Sequence, residues 1–265
     1  MDRTGENYAM GITRARFTLA TPCEPAIGQV LLKAVPVEAV PVTRRLPFTE
    51  TEHVLLSLAR IVEQRDKHTA GHSERMAVTS VALGVAMQLE RSSLLALYLG
   101  GYLHDVGKVG IPDSILFKPG RLTDEEWEVM RAHPVRGEEI CGPLLSLRCV
   151  LPIVRHHHER WDGSGYPDGL AGAEIPLLAR VLQVADIYDA LTNPRSYKKA
   201  FTTAHALEVL QEETARGWRD PDITSLFVRT HKSILSTVAD YRAGQNDDLD
   251  TMHDSLTHMQ EFLAQ

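Results

Sequence analysis

Seven of the twelve histidines fall between residues 68 and 158, beside carboxylates in patterns that suit metal chemistry. His104-Asp105 closes an apolar stretch that holds Leu94, Leu95, Leu97, Leu99 and Leu103. An aspartate there is costly to bury unless it is paired or coordinates a cation. Lys108 lies four residues after His104 and would share its face on a continuing helix turn. His156-His157-His158-Glu159 is a second cluster. Neighbouring helix residues point about 100° apart, so only some of these imidazoles can face one pocket, although two adjacent rings can reach a common ion at a helix end. His72 and His133 are further candidates, and Asp186 follows Val181, Leu182 and Val184 at the edge of an apolar helix face. Mixed imidazole and carboxylate donors suit Fe, Mn, Zn or Ni. A carboxylate can bridge two ions, and paired metals ~3.5–4 Å apart serve phosphodiester hydrolysis. His53, His205, His231, His253 and His258 stand apart from these clusters and read as ordinary solvated or hydrogen-bonded histidines.

The elements that must carry these groups are helices. Thr49 with Glu52 has capping-box spacing, and Leu55, Leu58, Ile61 and Val62 follow at helical spacing. The pattern predicts further helices over 73–89, 92–105, 123–133, 136–146, 149–158, 177–191, 203–215 and 222–235. Thr123 with Glu126 opens one of them as a second capping box. Gly107, Gly110 and Pro112 break the chain after the His-Asp pair, and the Gly/Pro-rich stretch 162–176 reads as a long loop. No strand-like alternation persists from 49 to 235, so the fold class is all-α. Residues 1–48, with Pro36 and Pro41 interrupting an apolar alternation, read as an irregular N-terminal arm. A catalytic domain over 49–235 and a helical tail over 236–265, ending in Met259, Phe262 and Leu263, complete the expected organisation.

Composition bounds the function. The chain has 265 residues with 43% hydrophobic and 24% charged, as in an ordinary globular protein. A net charge of −7 argues against general attraction to nucleic acid polymers or anionic membranes, yet a metal or local basic cluster could still draw in a small anion. Cys23, Cys141 and Cys149 are too scattered for a disulfide framework and read as reduced thiols. With neither a leader nor an apolar run of ~18 residues, the expected location is the cytoplasm.

Several stretches resemble one family. DKHTAGHSER (Asp66–Arg75), HDVGKVGIP (His104–Pro112), HHERWDGSGYP (His157–Pro167), VADIYDALT (Val184–Thr192) and RSYK (Arg195–Lys198) are similar to the motifs of HD-GYP domains, over roughly residues 50–230. The resemblance implies an HD-type helical bundle with a two- or three-metal centre. It implies that His72, His104, Asp105 and Asp186 hold one ion, and that Asp105 bridges to a second held by His133, His157 and His158. It implies that Lys108 contacts the scissile phosphate and that Tyr166, Arg195 and Lys198 grip the substrate. Arg and Lys suit phosphate oxygens, and Tyr can stack or hydrogen-bond.

There are departures. His68 stands where three-metal members place a carboxylate, which favours two ions, with His68 as a third-site candidate. Ser196 replaces a common Pro. His156 is an extra neighbour of the usual pair and reads as solvent-facing, Trp161 as a plug for the loop, and Tyr166 as exposed and functional.

The implied activity is hydrolysis of cyclic di-GMP to pGpG, or onward to GMP, with two divalent ions, Fe or Mn ahead of Ni or Zn. The loop is linked in the family to contacts with diguanylate cyclases, and the tail could pair with a second copy. A nucleotide phosphohydrolase acting on another substrate, and a metal-containing binding module of little turnover, stay open at this point. The nearly complete ligand set favours the first reading.

Overall fold

The computed structural model describes residues 50–65, 71–194, 200–243, 259 and 261–262, which fall in one compact unit, Arg44–Gln265. The expected arm over 1–48, Cys23, the Thr49 cap, the side chain of His53, and His68, Arg195, Ser196, Lys198, His253 and His258 lie outside the described residues. The described chain is helical: α1 Glu50–Arg65, α2 His72–Ala86, α3 Arg91–Leu103, α4 Asp113–Leu116, α5 Asp124–Arg131, α6 His133–Cys141, α7 Leu151–His156, α8 Leu177–Thr192, α9 Thr203–Ala215 and α10 Pro221–Ala243. Among the described residues the only β pairing is an isolated bridge between Asp162 and Ala171 in the long loop. None of the described helices is long and apolar enough to cross a membrane.

α2 is the axis of the bundle. It is buried almost all round, from His72 through Gly84, and packs against α3, α8 and α10. Small residues let α3 come close: a Cβ on Gly101 would stand 2.4 Å from the Cβ of Ala77. Leu97, Leu103, Ile153, Val181, Leu182 and Phe227 fill the core between these helices. α6 lies against α7 and against a 3-10 turn, Val106–Gly110, which follows directly on the His-Asp pair.

Several boundaries differ from the sequence expectation, each for a local reason. α2 stops at Ala86 rather than Leu89 because Gln88 adopts φ 58, in the left-handed region. Its N–H and that of Leu89 then return to the carbonyls of Val85 and Gly84, a termination usually marked by Gly. α3 ends at Leu103, before Asp105, because the chain tightens into the 3-10 turn, so His104 and Lys108 are not on one α-helical face. Pro134 does not end a helix but opens α6, at a position where its missing N–H costs nothing. α6 therefore covers His133–Cys141 instead of 136–146, and Pro152 opens the shorter α7 in the same way.

α10 runs through to Ala243, past the expected stop at 235. Its Tyr241 is fully buried, with its hydroxyl 3.4 Å from that of Tyr98, and Tyr98 lies 3.5 Å from Tyr102 in turn. Met259 is buried in the same core, and the ring of Phe262 meets Tyr241 edge-on at 5.4 Å. Met259 and Phe262 of the expected tail thus pack on this chain's own bundle.

One contact fixes the 3-10 turn. A Cβ built on Gly107 would stand 1.9 Å from the His133 carbonyl oxygen and 2.6 Å from the Gly137 nitrogen. Both neighbours are backbone and cannot rotate away. Gly107→Ala is expected to destabilise the fold by about 2–3 kcal/mol, read as a fall in the urea unfolding midpoint. An unchanged midpoint would show that the turn and α6 can part without cost.

Candidate metal centre

Helix ends supply most of the pocket. His72 opens α2, His104 and Asp105 follow α3, His133 opens α6, and His157 and His158 follow α7. Asp186 and Asp189 come from α8, one turn apart. His72, His104, His133 and His157 are buried.

The rings are aimed by a repeated local device. His104, His133 and His157 each place Nδ1 2.8 Å from a backbone carbonyl three residues earlier, that of Gly101, Met130 and Val154 respectively. A carbonyl only accepts, so each Nδ1 carries the proton and donates it. The bonds use carbonyls that helix termini leave without partners. The consequence is that each ring, in its neutral form, turns an Nε2 lone pair toward the pocket. His72 is held in the same sense by a carboxylate, with Nδ1 2.6 Å from Asp189 Oδ2.

The inward nitrogens converge on carboxylates. His104 Nε2 lies 3.2 Å from Asp105 Oδ2, and His133 Nε2 lies 3.2 Å from Asp105 Oδ1. His157 Nε2 is 3.9 Å from the same Oδ1, and His72 Nε2 is 3.3 Å from Asp186 Oδ1. His133 and His157 bring their Nε2 atoms within 3.3 Å of each other. Asp105, His133, His157 and His158 offer ligand atoms that all lie within 4.8 Å of one another. Asp105 Oδ1 is buried and accepts no hydrogen bond. Lone pairs facing lone pairs around a buried carboxylate oxygen are unfavourable until a cation enters, and these donors are of the types a divalent transition metal accepts.

The protonation states agree with that fit. Burial opposes ionisation of Asp105, but Lys108 outweighs it and holds the carboxyl well below its usual range. Asp186 is also driven low, since His72 overcomes its burial. Burial, with neighbouring imidazoles, pushes His157 well down and His158 down to about 3, so both stay neutral. Burial disfavours charge on His72 too, yet Asp186 and Asp189 raise it to about 10. A metal binding there displaces that proton.

The structure brings the expected ligand residues around Asp105 into one pocket. Lys108 Nζ is 2.5 Å from Asp105 Oδ2. Tyr166 is partly buried rather than exposed, and its ring stacks on His158 with centroids 4.8 Å apart. One further expectation is corrected. His156 does not face solvent: its side chain is 14% exposed and turned toward Glu159 and Asp168, with Nδ1 buried and unbonded. Glu159, the last residue of the run that His156 opens, turns under the long loop. It is wholly buried and accepts the backbone N–H groups of Asp168, Gly169 and Leu170, which pins the long loop.

Asp189 was missed by sequence reasoning. Besides His72 it takes Arg75, with Nε 2.7 Å from Oδ1, and Asn193, with Nδ2 2.8 Å from Oδ1. Its spacing of three from Asp186 on one helix was the available signal. Such an orienting partner is worth 10–100-fold in metal affinity. Asp189→Ala should weaken Mn(II) binding by about that factor in a competitive chelator titration; unchanged affinity would show that His72 is oriented without it.

The family model described as HD domain matches residues 57–223. The chain is 42% identical over 170 residues to the cyclic di-GMP phosphodiesterase response regulator RpfG of Xanthomonas campestris pv. campestris, covering 63% of this chain and 45% of that protein. It is 36% identical over 255 residues to a cyclic di-GMP phosphodiesterase of Vibrio cholerae, covering 89% of this chain and 52% of that protein. This chain therefore spans about half the length of these curated relatives. Among solved structures, the HDG"Y"P protein Bd1817 of Bdellovibrio bacteriovorus aligns with TM-score 0.50 and 22% identity, over 67% of this chain and 56% of that one, which supports the fold. The matched span takes in the whole pocket and its loop, and the chain belongs to the HD domain family.

Proposed function

We propose that this chain is a metal-dependent phosphodiesterase that opens cyclic di-GMP to linear pGpG, or carries it onward to GMP. The observation that carries the reading is Asp105, whose buried, unpartnered Oδ1 faces His133 and His157 while its Oδ2 faces His104. That arrangement suits a bridging carboxylate. His72, His104 and Asp186 would complete one site and His133, His157 and His158 the other. The centre is then binuclear, with Fe or Mn as the preferred ions, while Ni or Zn match the same donors. When bound, the ions supply an acidified water and offset charge developing at phosphorus.

The chain's own groups do the rest. Asp105 stays ionised at neutral pH, held so against its burial by Lys108. Lys108, at 2.5 Å from Asp105 Oδ2, stands where its ammonium can also meet a non-bridging phosphate oxygen. His157 and His158, kept neutral by burial, act as donors and not as acids. Tyr166, stacked on His158, presents a phenol at the pocket wall, and burial raises its pKa, so it remains protonated and able to donate. In the hydrolysis a water oxygen bonds to phosphorus, the P–O3′ bond breaks, and the 3′ oxygen leaves with a proton.

Protein purified without oxygen and reconstituted with Mn(II) should convert cyclic di-GMP to pGpG. Asp105→Ala should lose turnover by 10³-fold or more together with metal content. Lys108→Ala should keep its metal and lose about 10²-fold in kcat, the scale for removing one charge-stabilising donor. Undiminished hydrolysis by Asp105→Ala would overturn the bridging role.

A further inference from the structure

Not one residue of α5 is buried, yet this helix carries Trp127, whose large ring is 43% exposed. Trp127 therefore anchors no core. One turn later, Arg131 holds its guanidinium carbon 5.9 Å from the Trp127 ring centroid. The same carbon is 5.6 Å from the centroid of Tyr166. Tyr166 stacks on His158 with ring planes only 26° apart. His158 in turn meets His133 and His157, with centroids 5.0 and 4.2 Å away. A row of flat groups thus leads from the metal pocket to the surface: His158, Tyr166, Arg131, Trp127.

Among the described residues, the outer half of this row is held only loosely. The ion pair of Arg131 with Glu128 spans 3.5 Å between side chains 51% and 76% exposed. Such a pair is weak in water. The guanidinium fork is thus free to turn toward a ligand, with an aromatic face on either side of it.

We propose that Trp127 and Arg131 form the subsite for a guanine base of the substrate, the ring lying on Trp127 and the Arg131 fork donating to O6 and N7. The inference rests on the phosphodiesterase reading above. A cyclic dinucleotide with its phosphate at Asp105 and Lys108 must send its bases outward, and this row is a path of stacking surfaces leading that way. A phosphate would gain from the charge of Arg131 but not from the flanking rings. A base gains from both, because every base has a face to stack and guanine offers two acceptors on one edge. Adenine places an amino donor where guanine has O6, so the fork discriminates between them.

Steady-state kinetics on the full, Mn-loaded chain test this with three substrates: cyclic di-GMP, cyclic di-AMP, and bis(p-nitrophenyl) phosphate, which has no base. Arg131→Ala should raise KM for cyclic di-GMP about tenfold, leave kcat within about twofold, and narrow the preference over cyclic di-AMP. Arg131→Lys should not rescue, since an ammonium lacks the two-donor fork. Trp127→Ala should raise KM for both cyclic dinucleotides, because stacking is tolerant of base identity. All three variants should cleave bis(p-nitrophenyl) phosphate at the wild-type rate. Rescue by Lys would reassign Arg131 to a phosphate contact and overturn the base subsite. A parallel fall on bis(p-nitrophenyl) phosphate would make the row structural, and unchanged KM values would leave this face to a protein partner; either result overturns the proposal. Wild-type protein that cleaves bis(p-nitrophenyl) phosphate but not cyclic di-GMP would remove the substrate reading and this inference with it. Turnover of cyclic di-GMP with KM unaltered in the variants would remove the inference alone.

Discussion

A carboxylate oxygen without a hydrogen-bond donor, enclosed by imidazole lone pairs, is the constraint on which the rest of this molecule turns. Asp105 Oδ1 has nothing to accept from, although His133 and His157 Nε2 atoms lie 3.2 and 3.9 Å away. The nearby rings cannot rotate to donate, because their Nδ1 protons are already engaged by backbone carbonyls. Lys108 satisfies only the other oxygen. Buried charge of this kind persists where a cation compensates it. The arrangement is costly to the apo fold and pre-organised for metal, the trade expected of a catalytic site.

Helix termini make that organisation rigid. Three imidazoles are fixed by the same bond to the carbonyl three residues back, so their aim is set by helices whose apolar faces are locked in the core. The close approach of Gly107 to the backbone of His133 and Gly137 joins the turn after Asp105 to α6 directly. On the far side, Asp189 links His72 to Arg75 and Asn193. The long loop is tied by different means, through buried Glu159 beneath its backbone N–H groups. Arg155 pairs with both Asp168 and Glu138 and holds the loop's entry to α6. Tyr166 is thereby brought onto His158 without itself being part of the helical core.

Much of this was legible in the sequence because it depends on local pattern. The helices over 177–191 and 203–215 follow plain periodicity and occur almost as expected, and the Thr123–Glu126 capping box forms both of its bonds. The candidate ligand residues could be listed from their types and motifs, since imidazole beside carboxylate at the end of an apolar run has few uses. What the sequence hid was decided by contacts distant along the chain. Asp189 matters through Arg75, 114 residues away, and Tyr241 through Tyr98, 143 residues away. Glu159 holds the loop through backbone N–H groups that its place in the histidine run does not foretell, while its neighbours His157 and His158 face the pocket. Gln88 in the left-handed region ends α2 with a residue that carries no such signal in its type.

The account rests on one carboxylate serving two ions, and magnetic coupling measures that sharing directly. The full chain, loaded with Mn(II) without oxygen, is titrated for metal content and examined by low-temperature electron paramagnetic resonance. The account predicts about two ions per chain and an exchange-coupled multiline spectrum that Asp105→Ala abolishes. A single ion per chain, or two ions giving only uncoupled signals, would contradict it.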